Sequence, residues 1–258
     1  MKKLIGVEIY KVAHYWLVWG VLLFAVVQSL YVGLSHNYQA QMEWYVVHYP
    51  KIEYIAVLEL CTIPIALMEI LMSTWLSSAD FSAGTVRNIL SVGVSRSRYF
   101  FSRLAAHMLM TFALFCVLML FYGFSRFCRN LREGQVNTAL STGEYAIIIL
   151  IMLLQMCALG ALANMLCYFF RNQLISMVTI LALLYAWVFV SHMAESYGLD
   201  TLHGYLELFP IRVLERCPYY ATYGVFRFDF LRSGLSALAV IVVCNVIGYV
   251  RFRYSDYS

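Results

Sequence analysis

Charge is scarce in this chain. Asp, Glu, Lys and Arg make up only 12% of its 258 residues, while apolar residues make up 62%. Soluble domains carry roughly 25% charged and 45–50% apolar residues. A chain of this size has no water-soluble core large enough to hide so much apolar surface. A soluble enzyme, a nucleic-acid-binding domain and a disordered protein are therefore excluded as first readings. Paired cysteines are missing as well. The seven Cys form no CxxC pair and no Cys/His metal-ligand spacing, and most lie in apolar runs, where cysteine acts as a small hydrophobe. No GxxxxGK(S/T) stretch occurs and no lysine follows a glycine, so the loop that cradles ATP phosphates is absent. No Ser/His/Asp or paired-carboxylate arrangement stands out, which leaves intramembrane catalysis without residues to carry it. No internal repeat is visible. Glu8 and Lys11 interrupt the first apolar residues and no small-residue cleavage site follows, so no removable signal peptide is expected.

What is present is a series of long apolar stretches, at about 15–34, 54–76, 104–124, 145–170, 174–193 and 231–250. About 20 residues suffice for one helical crossing. Strands of a membrane barrel would alternate over about ten residues instead, and backbone groups in lipid must be satisfied within their own segment. The expected fold is an all-α polytopic membrane protein with six transmembrane helices in a single domain over 1–258. A net charge of +4 and mean hydropathy of +0.74 suit that class. Six spans put both termini on one side. That side carries Lys2, Lys3, Lys11, Arg87, Arg96, Arg98, Arg103, Arg171, Arg251 and Arg253 on its shorter segments. The other side carries Lys51, Arg126, Arg129, Arg132, Arg212, Arg216, Arg227 and Arg232. The denser basic side is expected to be cytoplasmic, with the Arg126/Arg129/Arg132 cluster weighing against it.

Residues 1–14 are amphipathic, with Leu4, Ile5, Ile9 and Val12 at helical spacing, and predict an interfacial helix before the first span. The long outer segment 196–230 is rich in Tyr and Phe and broken by Pro210 and Pro218. It predicts short interfacial or re-entrant helices before helix 6. Tyr31, Tyr38, Trp44, Tyr45, Tyr49, Tyr219, Tyr220 and Tyr223 read as an outer aromatic belt. Met152, Met156, Met165 and Met177 lack ligand spacing and read as packing. Cys128 and Cys217 both fall in outer segments, where a disulfide is chemically allowed.

The most informative segment joins the second and third spans. Val86, Ile89 and Leu90 form a short apolar face at helical spacing. Gly93 suits a left-handed helix end, and Ser95 or Ser97 suits the cap of the next helix. Arg96, Arg98 and Arg103 then fall near the headgroups. The result is a short helix hung between two long ones, shaped to be gripped by a soluble partner. Asp80, Gly84, Thr85, Ile89, Leu90, Gly93, Val94, Ser95, Arg96 and Arg103 resemble the motif of the permease subunits of ABC-2 type transporters, the six-span bacterial exporters of the drug, bacteriocin-immunity and sodium-export kind. The one departure is Asp80, where that family more often has Glu. The motif covers about 25 residues, whereas the likeness in layout covers the whole chain. The resemblance implies that Asp80, Gly84, Thr85, Val86, Ile89, Leu90, Gly93, Arg96 and Arg103 couple the chain to an ATPase. It implies two separate ATPase subunits holding ATP and magnesium, no cofactor in this chain, and a second permease chain, identical or sister. It also implies a bacterial plasma membrane location and an amphipathic cargo such as an antimicrobial peptide or lipophilic drug. Arg171–Gln173 would be a second, weaker contact.

Glu69 lies well inside the second span, which makes it either a translocation-path residue or a carboxyl that holds two helices together. Gln155 and Asn164 in the fourth span are either substrate contacts or interhelical hydrogen bonds. Glu59 is closer to the outer surface, and His107 is expected at the interface. A rival class is an ATP-independent secondary carrier or a structural subunit of a membrane complex. A carrier would show embedded charge pairs or broken helices in related halves.

Overall fold

The computed structural model describes residues 2–34, 53–82, 84–133, 142–214 and 230–255, which are helical apart from short turns. In chain order the helices are α1 (Lys2–His14), α2 (Trp16–Leu34), α3 (Glu53–Ser82), α4 (Thr85–Ser91), α5 (Arg96–Glu133), α6 (Thr142–Phe170), α7 (Gln173–Ser196), α8 (Asp200–Leu206) and α9 (Phe230–Tyr254). A further helical turn occupies 210–214, and no strand occurs among the described residues. Four helical stretches, Arg96–Ser125, Ala146–Phe170, Gln173–Ser196 and Phe230–Tyr254, are long and apolar enough to cross a membrane. The chain is thus a polytopic α-helical membrane protein.

α3 and α5 outrun their apolar stretches at both ends, because an apolar run ends where lipid ends while the backbone ladder continues. Pro64 sits inside α3 without ending it, as neighbouring helices in lipid allow. α6 is the most buried of the four spanning stretches and packs most extensively on α9 and α3, while α2 packs on α5. The main apolar core includes Ile65, Met72, Leu114, Leu118, Met152 and Leu159. α7 and α9 turn Leu181, Leu183, Val242 and Val246 outward, as suits lipid-facing helices. The α6–α7 corner needs Arg171 at φ +53, after which Asn172 caps α7 by accepting from the N–H groups of Leu174 and Ile175. On the far end of α7, Trp187 stacks on Phe209 at 4.2 Å and donates to the Leu206 carbonyl, which anchors α8.

The turns around α4 follow the sequence closely. Gly84 and Gly93 both take positive φ, at +65 and +91, a conformation that costs glycine little. Ser95 Oγ accepts from the Arg98 N–H at 3.4 Å and so caps α5. Tyr38, Trp44, Tyr45, Tyr49, Tyr219, Tyr220, Tyr223 and Cys217 lie outside the described residues, as do the side chains of Glu59, Arg126, Arg129 and Arg132. Cys128 is a free thiol.

Candidate functional site

Two facing helices build a buried polar seam through the apolar bundle. On α5, Tyr99, Arg103, His107 and Thr111 recur every four residues and so share one face. On α3, Glu69, Ser73, Ser77 and Asp80 form the matching stripe. All eight are nearly fully buried. The seam follows α3 for 12 residues, Glu69 to Asp80, about 16 Å of helix.

Its deep end is a cluster around Glu69, which is wholly buried. Glu69 Oε1 accepts from Thr111 Oγ1 at 2.6 Å and from Ser73 Oγ at 2.9 Å. Ser73 Oγ lies 2.5 Å from His107 Nε2, which is itself 3.4 Å from Glu69 Oε1. With the Ser73 hydrogen given to the carboxylate, the tautomer that completes the chain is His107 Nε2–H donating to Ser73. Glu69 Oε2 and His107 Nδ1 have no hydrogen-bond partner among the described residues. α6 closes the cluster with Gly160, where an added Cβ would come within 2.4 Å of His107 Cε1 and 2.9 Å of Glu69 Oε1. His107 is buried between α3, α5 and α6.

The other end is an ion-paired network. Asp80 is paired with Arg103, accepts from Tyr99 Oη at 2.7 Å, and lies 3.3 Å from Lys11 Nζ. Tyr99 also accepts from Arg103. Three helices, α1, α3 and α5, meet on one carboxylate. Beside it, Phe100, Tyr168 and Phe252 pack at ring separations of 5.2–6.2 Å and join α5, α6 and α9. α4 rests on this aromatic cluster. Val86 is buried in it, and Ile89, Leu90 and Val94 pack on its rim.

The chain's own aromatic cluster thus buries Val86 and half-buries Ile89 and Leu90, and the exposed face of α4 and its turn is Arg87, Asn88, Ser91 and Val92. Arg96, expected near the headgroups, donates to the carbonyls of Arg253 and Ser255, where a helix end leaves acceptors unsatisfied. Ser97 and Tyr249 add a hydroxyl contact at 2.8 Å between the same two helices.

Gln155 and Asn164 both make interhelical hydrogen bonds. Gln155 Nε2 donates to the Ser233 carbonyl of α9 at 2.9 Å, and Asn164 Oδ1 accepts from Ser77 of α3 at 2.5 Å. Glu69, Gln155 and Asn164 thus each tie α6 or α3 to a different neighbour. An open groove of about 620 Å³ lies elsewhere, between α8 and α9, lined by Thr201, Tyr205, Arg232 and Ser236. Residues the sequence reading passed over are Lys11, Ser73, Tyr99, Thr111 and Gly160. The four-residue recurrence of 99, 103, 107 and 111 was the available signal for two of them. Compared with known proteins, the chain matches no family model and no curated protein.

Proposed function

We propose that the chain is the membrane-spanning permease subunit of an ATP-driven exporter of the ABC-2 type, with six spans, both termini cytoplasmic, and α4 as the helix that receives force from a separate ATPase. One observation carries this reading. α4 is a short rigid helix at the bundle's end, seated by its apolar face and joined at once to three long helices. The adjoining Asp80–Arg103 pair links α3 to α5, and Arg96 links the start of α5 to the end of α9. A push on α4 therefore moves packed helices, whereas a push on a floppy loop would dissipate. The chain has no phosphate loop of its own, so hydrolysis falls to a partner. Two permease chains and two ATPase subunits would complete the assembly in a bacterial plasma membrane. The cargo would be an amphipathic peptide or lipophilic drug passing between the permeases.

The face offered to the ATPase is Arg87, Asn88, Ser91 and Val92. Substituting Arg87→Glu with Val92→Asp is expected to lower ATPase co-purification from native membranes by at least about tenfold, or ~1.4 kcal/mol of binding. Insertion of the helices should be unchanged, since neither side chain is packed within the chain. Retention of a normal ATPase complex would end this reading. Ile89→Asp tests a different thing: it places a charge on the aromatic cluster and should unseat α4 itself, raising hydrogen exchange across 85–91. Arg96→Ala should loosen the end of α9 with less effect on α4.

A second reading, an ATP-independent carrier, is favoured by one observation, the Glu69–His107 pair deep in the bundle. Export by the purified chain in vesicles without any ATPase would select it.

A further inference from the structure

We propose that Glu69 and His107 form a proton-binding site inside the membrane that holds a single proton between them. The hydrogen-bond chain fixes the starting count. His107 Nε2–H donates to Ser73 Oγ, and Ser73 and Thr111 both donate to Glu69 Oε1. Every polar hydrogen in that chain is then used. Among the described residues two acid–base atoms remain without a partner, Glu69 Oε2 and His107 Nδ1, and these are the two places where a further proton can reside.

Three charge states follow. With neither atom protonated, the cluster carries one negative charge in a fully buried site, with one carboxylate oxygen bonded to nothing. With both protonated, it carries one positive charge. With one proton, it is neutral overall, as a carboxylic acid beside an imidazole or as a carboxylate beside an imidazolium. These two forms differ only in whether the one proton sits on Oε2 or on Nδ1. Burying a net charge in apolar surroundings costs several kcal/mol, so the one-proton state is favoured.

Among the described residues the packed helices supply no competing counter-ion. From α5, Arg103 lies one turn from His107 and is paired with Asp80, and its positive charge opposes a second proton. From α6 come Gly160 and the neutral thiol of Cys157. The other helices on α3 are α2, which has no Asp, Glu, Lys or Arg, α7, whose one such residue is Glu195 at its far end, and α4, whose Arg87 is exposed, while α1 on α5 brings Lys11, which is paired with Asp80. Gly160 closes the pair from the α6 side, where a Cβ would already collide with both of its members. The site does not depend on how the chain is powered.

The test uses the purified full chain in lipid nanodiscs. Infrared spectroscopy reads a protonated Glu69 as a carboxylic-acid C=O stretch that Glu69→Gln removes. ¹⁵N NMR reads an imidazolium at His107 that His107→Gln removes. The expected result at neutral pH is one of these two signals without the other, lost in a single one-proton step as the pH is raised. An ionised carboxylate beside a neutral imidazole at neutral pH overturns the proposal, and so do both signals together. If either variant fails to fold, wild-type protein still decides. Its buried His107 exchanges hydrogen for deuterium slowly, whereas the exposed His14 and His192 exchange fast, substitution of His36, His48 and the half-buried His203 by Gln removes the remaining imidazoles, and ¹³C-labelled glutamate identifies the carboxyl band.

Discussion

Asp80→Ala is expected to cost about 3–5 kcal/mol, the largest effect of any single substitution considered for this chain. Arg103 is 6% exposed and Asp80 5%, so the substitution leaves a guanidinium in a site from which water is largely excluded. Lys11 and the Tyr99 hydroxyl lose their acceptor in the same step. The loss should appear as a lower thermal midpoint in detergent or nanodiscs, and as faster hydrogen exchange in α1 and α4. Asp80→Ala combined with Arg103→Met should recover most of the loss, because an apolar side chain of similar length fills the space without demanding a counter-charge. If the double variant is no better than Asp80→Ala alone, packing and not charge holds this end together. Acid should act in the same place. Asp80 lies beyond the apolar part of α3. Burial pushes its carboxyl up, but the Arg103 charge, the Tyr99 hydrogen bond and Lys11 outweigh this, and the carboxyl ends below its ordinary value. Its folded form therefore holds its proton less tightly than its unfolded form. The stabilisation is complete at neutral pH and is lost as the pH falls through that depressed value, below about pH 4. Asp80→Asn should lack this acid-dependent loss.

The membrane class, the helix positions, the two glycine turns and the Ser95 cap were all legible in the sequence, because each follows from local chemistry. Apolar run length sets a crossing, a positive φ selects glycine, and a hydroxyl one residue before a helix caps it. Glu69 was legible for a similar reason, as a charge where lipid would not tolerate one. Its partner was not. His107, Thr111 and Tyr99 are residue types that occur on any helix face, and only their shared spacing with Arg103 marks them as one stripe. Arg96 reaches Ser255 across 159 positions of chain, a pairing that no local pattern encodes. Val86 shows a different limit. An apolar face on a short helix says that something covers it, but not whether the cover is a partner or the chain's own aromatic cluster. The tertiary structure decides in favour of the latter.

Gly160→Ala should be the most damaging glycine substitution among those the structure describes. The added methyl would sit 2.4 Å from His107 Cε1, 2.9 Å from Glu69 Oε1 and 3.0 Å from His107 Nε2. The ring cannot swing away freely, because its Nε2 is tied to Ser73 on the facing helix. Relief requires either breaking that chain of hydrogen bonds or moving α6 away from α3 and α5. Overpacking of this kind costs about 1–3 kcal/mol, and each buried hydrogen bond lost adds roughly 1 kcal/mol. Two other glycines calibrate the result. At Gly248 the new methyl would be 3.3 Å from Tyr168 Cδ2, a contact relieved by a small ring shift, so Gly248→Ala should cost less. At Gly123 nothing lies within 4 Å, so Gly123→Ala should be neutral or gain up to about 1 kcal/mol from helix propensity. Thermal midpoints of the three variants, measured side by side, should rank Gly160 lowest and Gly123 highest. Adding His107→Ala to Gly160→Ala removes the ring that clashes, so the two losses should be clearly less than additive. Additive losses, or a Gly160→Ala protein as stable as Gly123→Ala, would mean that α6 does not close over the Glu69–His107 pair. Water could then enter the cluster and solvate a net charge there, and the pair would no longer need to keep its proton.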